Sequence, residues 1–274
     1  MALVKVDFFS ESLMRTVTIN AIVPVDKLTF PGMPKREDKP FKTLYLLHGI
    51  FGNYIDWVDG TRIERWATDN NLVVIMPSGE NKFYVDNEKS GDLFSQFIGK
   101  ELVEVTRKLF PLSTKYEDTY IAGLSMGGYG SIINGLRFNE TFSHISLLSA
   151  ALILDAVYVS NNDAPLTISK KDYYEAVFGP VELIKGSYKD YYAAALNVKK
   201  KPKIYMCCGT EDGLYKPNEE YYTYLKENGY DVTFEYGPGN HDWVFWDTYI
   251  QKVLEWLPLE TKNDSIHSGN VGID

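Results

Sequence analysis

The sequence predicts an α/β fold, a mostly parallel and doubly wound sheet of about eight strands that begins with an N-terminal antiparallel hairpin. Short apolar runs alternate with longer segments of helical periodicity after residue 40. Several of these runs are apolar throughout, which is typical of strands that helices cover on both faces of a sheet. Two runs rich in β-branched residues precede them and favour a hairpin. The 274 residues show no composition shift, so we predict one domain over residues 1–260.

Each element can be justified in chain order. The hairpin strands are predicted at Leu3–Phe9 and Leu13–Val23, and the proline-rich, charged segment Pro31–Pro40 interrupts the chain after them. Helices are recognised by apolar residues spaced three and four apart, and strands by short β-branched or apolar runs. The remaining strands are predicted at Thr43–Leu47, Leu72–Met76, Thr119–Ala122, His144–Leu148, Lys203–Cys207 and Val232–Tyr236, and the helices at Arg62–Asn70, Leu93–Phe110, Met126–Phe138, Asn218–Asn228 and Trp243–Leu257.

Two segments do not follow this alternation. Residues 150–198 contain several tyrosines, a polar turn at Ser160–Pro165 and a short helical pattern near Lys171–Phe178, so we predict an insertion. Right-handed crossovers place the loops that follow parallel strands at one edge of the sheet, where α/β active sites form. We expect the insertion to cover that edge. Residues 261–274 are polar and are expected to form a flexible tail.

Composition and charge exclude several classes of protein. The 37 acidic residues outnumber the 28 basic ones and give a net charge of −9, whereas a general nucleic-acid binder needs a basic face. The sequence has no apolar run of 18 residues, so we expect neither a membrane span nor a membrane partner. The two cysteines, Cys207 and Cys208, are adjacent and exclude a disulfide framework. Together with an N-terminus that lacks the apolar core of a signal peptide, they favour a cytoplasmic location.

The most informative motif is a G-x-S-x-G pentapeptide, Gly123-Leu124-Ser125-Met126-Gly127, between a predicted strand and a predicted helix. A nucleophile elbow needs a serine on a sharp strand-to-helix turn with small neighbours, and this context supplies both. The helix N-terminus also favours a developing negative charge beside the serine. We therefore predict that Ser125 is a catalytic nucleophile, the alternative being a glycine-rich turn that only packs on the sheet.

A serine hydroxyl needs a base, and the chain has four histidines. His267 lies in the polar tail, His144 opens a strand, and His48 comes too early for the order serine, acid, histidine that accompanies a nucleophile elbow. His241 follows the last predicted strand, where a loop would bring a base to the serine. His241 is the predicted general base.

The acid that orients the base is expected in the loop after the penultimate strand. That loop offers Glu211 and Asp212, of which Asp212 is preferred because a short carboxylate after a turn is the commoner orienting group. Glu211 remains an alternative. Asp242 is adjacent to the predicted base and is expected to cap the following helix instead.

An oxyanion hole completes this arrangement. One donor in such folds is the backbone N–H after the nucleophile, which belongs to Met126, and the second comes from the loop after an early strand. That loop reads His48-Gly49-Ile50-Phe51-Gly52. The N–H of Ile50 is the preferred second donor, and that of Phe51 is the neighbouring option. The alternative is an ordinary turn at the end of a strand.

Aromatic side chains in the loops at this edge are candidates for substrate binding. They would suit a short acyl chain, a planar aromatic acyl group or the face of a sugar, and they would equally suit the interface of a homo-oligomer. The candidates are Phe51, Trp57, Phe83, Tyr84, Tyr129 and Trp243.

No metal or other cofactor is predicted. The segment Asp86–Asp92 resembles a calcium loop, but Phe97 occupies the position that should hold a bidentate glutamate. A capped loop leading into the next helix is the preferred interpretation, with incidental cation binding as the alternative. The sequence also lacks the motifs of a catalytic zinc site.

In four segments the chain resembles the esterase D-like family of esterases, and within it the bacterial tributyrin and acetyl esterases and the cinnamoyl (feruloyl) esterases. The segments are LLHGIFGNYIDW, IAGLSMGGYGS, CCGTEDGLY and GPGNHDWVFW. The resemblance implies an α/β-hydrolase fold and hydrolysis of carboxylic esters through an acyl-enzyme. It also implies Ser125, Asp212 and His241 as nucleophile, acid and base, with Ile50 and Met126 as oxyanion donors.

The sequence therefore predicts a serine carboxylesterase that hydrolyses small esters, namely short-chain acyl, acetylated sugar or hydroxycinnamoyl esters. One alternative keeps the triad and transfers the acyl group to a sugar or alcohol. A second is an S-formylglutathione hydrolase, although those enzymes usually carry a cysteine-containing loop where this chain has Phe51-Gly52-Asn53. A third is a binding module without activity on a hydrolase scaffold.

Overall fold

The computed structural model describes residues 2–27, 31 and 37–259, and its main feature is an eight-stranded sheet. The strands, including a separate two-stranded hairpin formed by β5 and β6, are β1 (Ala2–Ser10), β2 (Arg15–Val23), β3 (Lys42–Leu47), β4 (Leu72–Pro77), β5 (Asp86–Asn87), β6 (Asp92–Leu93), β7 (Thr119–Leu124), β8 (His144–Leu148), β9 (Lys203–Gly209) and β10 (Val232–Gly237).

The sheet order is β1-β2-β4-β3-β7-β8-β9-β10. β1 and β2 form an antiparallel hairpin, β2 runs antiparallel to β4, and every other neighbouring pair is parallel. The predicted fold class is therefore confirmed, and each predicted strand of the sheet is present to within two residues at either end. Because β3 and β7 to β10 are parallel, their carboxyl ends meet at one edge, where the site described below is formed.

Helices cover both faces of this sheet. They are α1 (Asp56–Gly60), α2 (Ile63–Asp69), α3 (Phe94–Gln96), α4 (Leu102–Leu109), α5 (Met126–Arg137), α6 (Leu154–Tyr158), α7 (Lys171–Phe178), α8 (Tyr191–Leu196), α9 (Tyr215–Glu227) and α10 (Trp243–Trp256).

Two hydrophobic cores lie on opposite faces of the sheet. Tyr45 and Leu47 of β3 belong to the core under α4, α5, α8 and α9, whereas Leu44 and Leu46 of the same strand belong to the core under α2 and α10. All four side chains are fully buried. A strand buried on both faces has no solvent-facing positions, which is why the central strands read as continuous apolar runs.

The helix predicted at Leu93–Phe110 is present over residues 94–109 but is not α-helical throughout. It is divided into α3, a π-helical turn at Phe97–Glu101, and α4. The turn occurs where Gly99 packs against Phe138, so closely that a Cβ atom at this position would lie 2.0 Å from the ring. The apolar spacing alone did not reveal this turn, because π-turns interrupt a helix without ending it.

Residues 150–198 contribute the short helices α6, α7 and α8, and tyrosine hydroxyls from outside the segment fasten its last part. Each hydroxyl donates to a backbone carbonyl oxygen. The pairs are Tyr129 with Lys189 at 2.5 Å, Tyr221 with Tyr191 at 3.0 Å, Tyr224 with Tyr192 at 3.0 Å, and Tyr230 with Ala195 at 2.7 Å. Part of the high tyrosine content of the chain thus has a structural role.

Some predictions lie outside the described residues. The tail at residues 261–274 is one of them, and so is half of the interruption at Pro31–Pro40, namely residues 32–36. Among the residues that the structure describes, no helix is long and apolar enough to cross a membrane.

Candidate active site

Ser125 lies on a sharp turn between β7 and α5. Its backbone has φ +52° and ψ −117°, a conformation that side-chain-bearing residues rarely adopt, and the residue is the N-cap of α5. The Ser125 N–H donates to Leu148 O at the end of β8 (2.9 Å), and Ser125 O accepts from the N–H of Ala151 (2.9 Å). This is the geometry that the G-x-S-x-G motif predicts for a nucleophile elbow.

The two glycines of the motif are needed for this turn. A Cβ atom on Gly123 would lie 2.4 Å from Gly127 O, and one on Gly127 would lie 2.4 Å from Leu47 O and 2.6 Å from His48 O. All of these neighbours are backbone atoms, which cannot rotate away as a flexible side chain could. The tight turn therefore requires glycine at position 123, and close approach of the elbow to the end of β3 requires glycine at position 127.

Asp212 and His241 are joined by a hydrogen bond of 2.8 Å between the His241 Nδ1–H and Asp212 Oδ2. Asp212 follows β9 and is buried, and its Oδ1 accepts the N–H of Leu214 at 2.8 Å. Burial alone would raise the pKa of this carboxyl, but the hydrogen bonds from His241 and Leu214 outweigh it and hold the pKa below its usual range. Asp212 is therefore a carboxylate that orients the imidazole with Nε2 free for another partner.

Glu211, the alternative acid, has a different role. It is exposed, and its Oε2 accepts hydrogen bonds from the Gly239 N–H (2.5 Å) and the Thr210 hydroxyl (3.0 Å). It thereby braces the loop that carries His241 and does not contact the imidazole by a hydrogen bond. Asp242 caps α10 through a 3.0 Å bond from the Phe245 N–H, as the sequence predicted.

The imidazole of His241 is supported from below by Trp246. The two rings meet edge to face at 4.9 Å between centroids, and Trp246 Nε1 donates to Ser149 Oγ at 3.3 Å. The His241 side chain is 35% exposed, so solvent and substrate can reach it. Among the described residues, no hydrogen bond joins Ser125 Oγ to His241, although both lie at the same edge of the sheet.

The loop after β3 passes directly against the elbow. A Cβ atom on Gly49 would lie 2.6 Å from Leu124 Cδ1 and 3.5 Å from Ser125 Cβ, so the backbone of this loop borders the serine. Phe51 donates its N–H to Asn81 Oδ1 at 2.8 Å, whereas no acceptor among the described residues takes the N–H of Ile50 or Met126. Of the two donors that the sequence left open, Ile50 is the one whose N–H is available.

His48 is a structural residue of this loop. Its Nδ1–H donates to Gly49 O at 2.6 Å, and its Nε2 accepts the N–H of Gly79 at 2.8 Å, which fixes a neutral tautomer. Burial lowers the pKa of His48, in keeping with an imidazole that must remain uncharged to accept the second bond. Gly49 O belongs to the same peptide unit as the Ile50 N–H, so His48 also orients that unit.

Two other histidines lie away from this edge or outside the description. His144 packs between the rings of Tyr120 and Trp256, with centroids 5.2 and 5.1 Å away. Burial, helped by Lys203 and Lys42, lowers its pKa to about 4. His267 lies outside the described residues.

The predicted substrate-binding aromatics divide into two groups, and for one of them the prediction requires correction. Trp57, Tyr84 and Tyr129 are at most 1% exposed, and their polar atoms bond to backbone carbonyls. Together with the buried Phe83, they belong to the core and offer no surface to a substrate. Phe51, which is 72% exposed, and the half-buried Trp243 remain available.

The Asp86–Asp92 segment forms the β5–β6 hairpin, and Asp86 caps the helix that follows it. Asp86 Oδ1 accepts the N–H groups of Ser95 and Gln96 at the start of the next helix, and Oδ2 forms a 2.6 Å ion pair with Arg137. Asp92 pairs with Arg15 and Lys82. Among the described residues, no group of three or more His, Cys, Asp or Glu side chains is arranged to hold a metal ion.

Two positioning contacts escaped the sequence analysis. Ser149 has φ +46° and sits under Trp246, and Asn81 binds the Phe51 N–H. Ser149 follows directly on a predicted strand, which is a weak signal. Nothing near Asn81 in the sequence indicates a contact with a loop thirty residues earlier.

Comparisons with known proteins identify the family. A family model described as "Putative esterase" matches residues 10–257. An acetyl esterase of Caldicellulosiruptor saccharolyticus is 42% identical over 261 residues, which are 94% of this chain and 98% of that protein. Two solved structures from Staphylococcus aureus, the fluorophosphonate-binding serine hydrolase FphF and the S-formylglutathione hydrolase FrmB, are 31% and 32% identical with TM-scores of 0.81 and 0.78. Each comparison covers 93% of this chain and 98% of the other.

These likenesses extend over nearly the whole chain and agree with the resemblance found in its four motif-bearing segments. The chain belongs to the esterase family of α/β-hydrolases and is a serine carboxylesterase.

Proposed function

We propose that Ser125, Asp212 and His241 form the catalytic triad of this esterase and that the N–H groups of Ile50 and Met126 form its oxyanion hole. The observation that carries the proposal is the Asp212–His241 hydrogen bond at the sheet edge where Ser125 occupies its strained turn. The imidazole of His241 is exposed, and its Nε2 has no hydrogen-bond partner among the described residues. The relay is completed when Ser125 Oγ and His241 Nε2 come within hydrogen-bond distance in the substrate complex.

The reaction then follows from the geometry. Ser125 Oγ attacks the ester carbonyl carbon while His241 Nε2 accepts its proton, and the two N–H groups bind the resulting oxyanion. Collapse of the tetrahedral intermediate expels the alcohol, which takes the proton from His241. Water, deprotonated by the same imidazole, attacks the acyl-enzyme and releases the acid. The Asp212 carboxylate stabilises the imidazolium in both halves of the cycle.

We further propose small esters with a short acyl group, above all acetyl esters, as substrates. The acetyl esterase that is 42% identical over nearly the whole chain supports this choice. Phe51 and Trp243 are the aromatic side chains left to contact the substrate. The insertion at residues 150–198 would act as a cover for this edge, since Tyr173 from α7 bonds to Asn81 in the loop after β4.

The first prediction concerns Ser125→Ala. We expect loss of p-nitrophenyl acetate hydrolysis by at least about a thousandfold, because the attacking oxygen is removed, with an unchanged thermal unfolding curve. A fluorophosphonate probe should label the unmodified protein at Ser125 and leave the variant unlabelled. Retained turnover in the variant would contradict the assigned nucleophile.

A second candidate activity is the hydrolysis of S-formylglutathione, favoured by the 32% identity and the TM-score of 0.78 with FrmB. The two are distinguished by kcat/KM on p-nitrophenyl acetate and on S-formylglutathione under the same conditions. A much higher value on the thioester would replace acetyl esters as the assigned substrate class without changing the triad.

We also propose a cytoplasmic location, supported by the two cysteines, both of which are free and buried.

A further inference from the structure

The loop that presents the proposed oxyanion donor is held by the loop that follows β4. We call residues 48–54 the oxyanion loop and residues 78–84 the anchor loop. Each hydrogen bond between the two loops joins a backbone group of one loop to a side chain of the other. The four bonds are Gly79 N–H to His48 Nε2 (2.8 Å), Phe51 N–H to Asn81 Oδ1 (2.8 Å), Tyr54 N–H to Ser78 Oγ (3.2 Å) and Tyr84 Oη–H to His48 O (2.9 Å).

The anchor loop is itself rigid. Phe83 and Tyr84 are buried, and they and Glu80 have positive φ values of 51°, 57° and 48°. Residues with side chains keep such angles only when their surroundings fix them. The anchor loop can therefore impose a geometry on the more exposed oxyanion loop.

Asn81 supplies the acceptor for the Phe51 N–H in this contact between the loops. It holds the N–H of Phe51, an exposed residue with φ +70° that has little packing of its own to maintain this conformation. Loss of the acceptor would let Phe51 relax to negative φ, and rotation there moves the adjoining Ile50 backbone. The bonds from His48 and from the Gly52 N–H to Gly49 O remain, so the Ile50 N–H would be tilted away from the oxyanion position rather than released.

The backbone of Asn81 is fastened as well. Tyr173 of α7 donates its hydroxyl hydrogen to Asn81 O at 2.7 Å, so α7 holds the backbone of the residue whose side chain holds Phe51. A side chain fixed at both ends can orient a neighbouring peptide without adjustment during the reaction, which is what an oxyanion hole requires.

We propose that Asn81 is a positioning residue of the oxyanion hole, one that orients the Ile50 N–H through its hydrogen bond to Phe51. This inference rests on the proposed function and adds a residue to its machinery. Asn81 touches neither the substrate nor the reacting atoms, so its removal should weaken transition-state stabilisation and spare ground-state binding.

The test compares variants of Asn81 in the full chain with p-nitrophenyl acetate as the substrate. Asn81→Ala and the near-isosteric Asn81→Leu both remove the acceptor, and each should lower kcat about 10- to 100-fold with KM within about threefold. Binding of a boronic acid that forms a tetrahedral adduct with Ser125 should weaken by the same factor as kcat/KM. If one of these two variants does not fold, the other still tests the proposal.

Two further variants separate positioning from a general structural role. Asn81→Asp keeps an oxygen acceptor on a side chain of the same length and should retain kcat within about threefold of the unmodified enzyme. Asn87→Ala is the matched control, because Asn87 belongs to the same connection and bonds to Ala176 O in the insertion without contacting the oxyanion loop. It should leave kcat unchanged.

The proposal is overturned if the folded acceptor-less variants keep the kcat of the unmodified enzyme, if Asn81→Asp loses as much as Asn81→Leu, or if Asn87→Ala loses as much as either. Failure of the proposed function looks different. In that case the unmodified protein has no esterase turnover, or Ser125→Ala retains it.

Discussion

The backbone of Ser125 is held in an unfavourable conformation by its neighbours. A residue at this combination of φ and ψ costs about 1–3 kcal/mol, which the surrounding structure must offset. Hydrogen bonds from Ser125 N–H to Leu148 O and from Ala151 N–H to Ser125 O do so on the side of β8. The flanking glycines remove every side chain that would prevent this approach. The position of the Ser125 side chain at the sheet edge, where the residue is 7% exposed, is thus a property of the turn.

At the residue scale, the sequence predicted the features that depend on residues close by in the chain. The serine turn and the order serine, acid, histidine could be read from it because each lies directly after a strand. The sequence also favoured Ile50 over Phe51 as the second oxyanion donor, but it did not reveal the Asn81 side chain that takes the Phe51 N–H. The aromatic residues were misjudged as well. Burial of Trp57, Tyr84 and Tyr129 is decided by elements that pack on them from elsewhere in the chain.

The stability of the protein should depend on pH through His144. Its pKa is lowered to about 4 in the fold from 6.5 in the unfolded chain. Between these values the unfolded chain binds a proton that the folded chain does not, so stability falls as the pH falls from 6.5 to 4 and levels off below. The shift corresponds to at most about 3 kcal/mol, and to about 1–2 kcal/mol once partial exposure of the ring is taken into account.

His144→Phe provides the measurement, because it keeps the aromatic contacts with Tyr120 and Trp256 and cannot titrate. Urea unfolding at pH 7 and pH 4.5 should give a smaller loss of unfolding free energy for this variant than for the unmodified protein. The contribution of His48 is common to both proteins and cancels in the comparison. Equal losses would show that His144 does not titrate as described.

At the scale of the elements, long periodic segments were predicted well and their interruptions were not. The π-turn at Phe97–Glu101 brings Glu101 to the tip of the β1–β2 hairpin, where its carboxylate accepts Ser10 Oγ–H and the N–H groups of Glu11 and Ser12. These bonds outweigh the effect of burial and hold the pKa of Glu101 below its usual range. The partners lie ninety residues away, beyond the reach of any periodicity argument.

The tyrosine hydroxyls that bond to residues 189–195 lead to a prediction for the helix α8. Tyr230→Phe removes the 2.7 Å bond to Ala195 O in a buried setting, and an unsatisfied buried carbonyl costs about 1–3 kcal/mol. Tyr224→Phe removes a similar bond in a partly exposed setting, where water can replace the hydroxyl, and should cost less than about 1 kcal/mol. Urea unfolding of the two variants tests the ranking, and the reverse order would refute the argument from burial.

At the scale of the whole molecule, burial shields two thiol side chains that we expect to react only after unfolding. Cys207 and Cys208 are both 0% exposed, and burial raises the pKa of Cys208 to about 12 and that of Cys207 well above its usual value. A thiol that is buried and protonated is a poor nucleophile.

We therefore expect a chromogenic disulfide reagent to label neither thiol of the native protein at neutral pH and both thiols in concentrated guanidinium chloride. The labelling rate should rise along the denaturant curve with the same midpoint as circular dichroism. Rapid labelling under native conditions would show that β9 opens locally, and Cys207→Ala would identify which thiol reacts.

The fold class and its hairpin followed from the alternation of strands and helices, because a sheet buried on both faces leaves a distinct apolar pattern. The order of the strands in the sheet could not be predicted in the same way. β4 lies between β2 and β3 only because the chain crosses over after β3, and the local sequence carries no record of that neighbour.

Four tyrosine hydroxyls donate hydrogen bonds to backbone carbonyl oxygens, which are present whatever the side chain of the accepting residue. They belong to Tyr129, Tyr221, Tyr224 and Tyr230. The partly exposed positions of residues 189–195 can therefore exchange side chains while the backbone remains attached, whereas Asp190, which caps α8, and the buried Tyr191 and Ala195 cannot. Substitutions at the solvent-facing positions of this stretch should therefore cost little stability. A library randomised at those positions would keep the hydrogen bonds that hold the backbone.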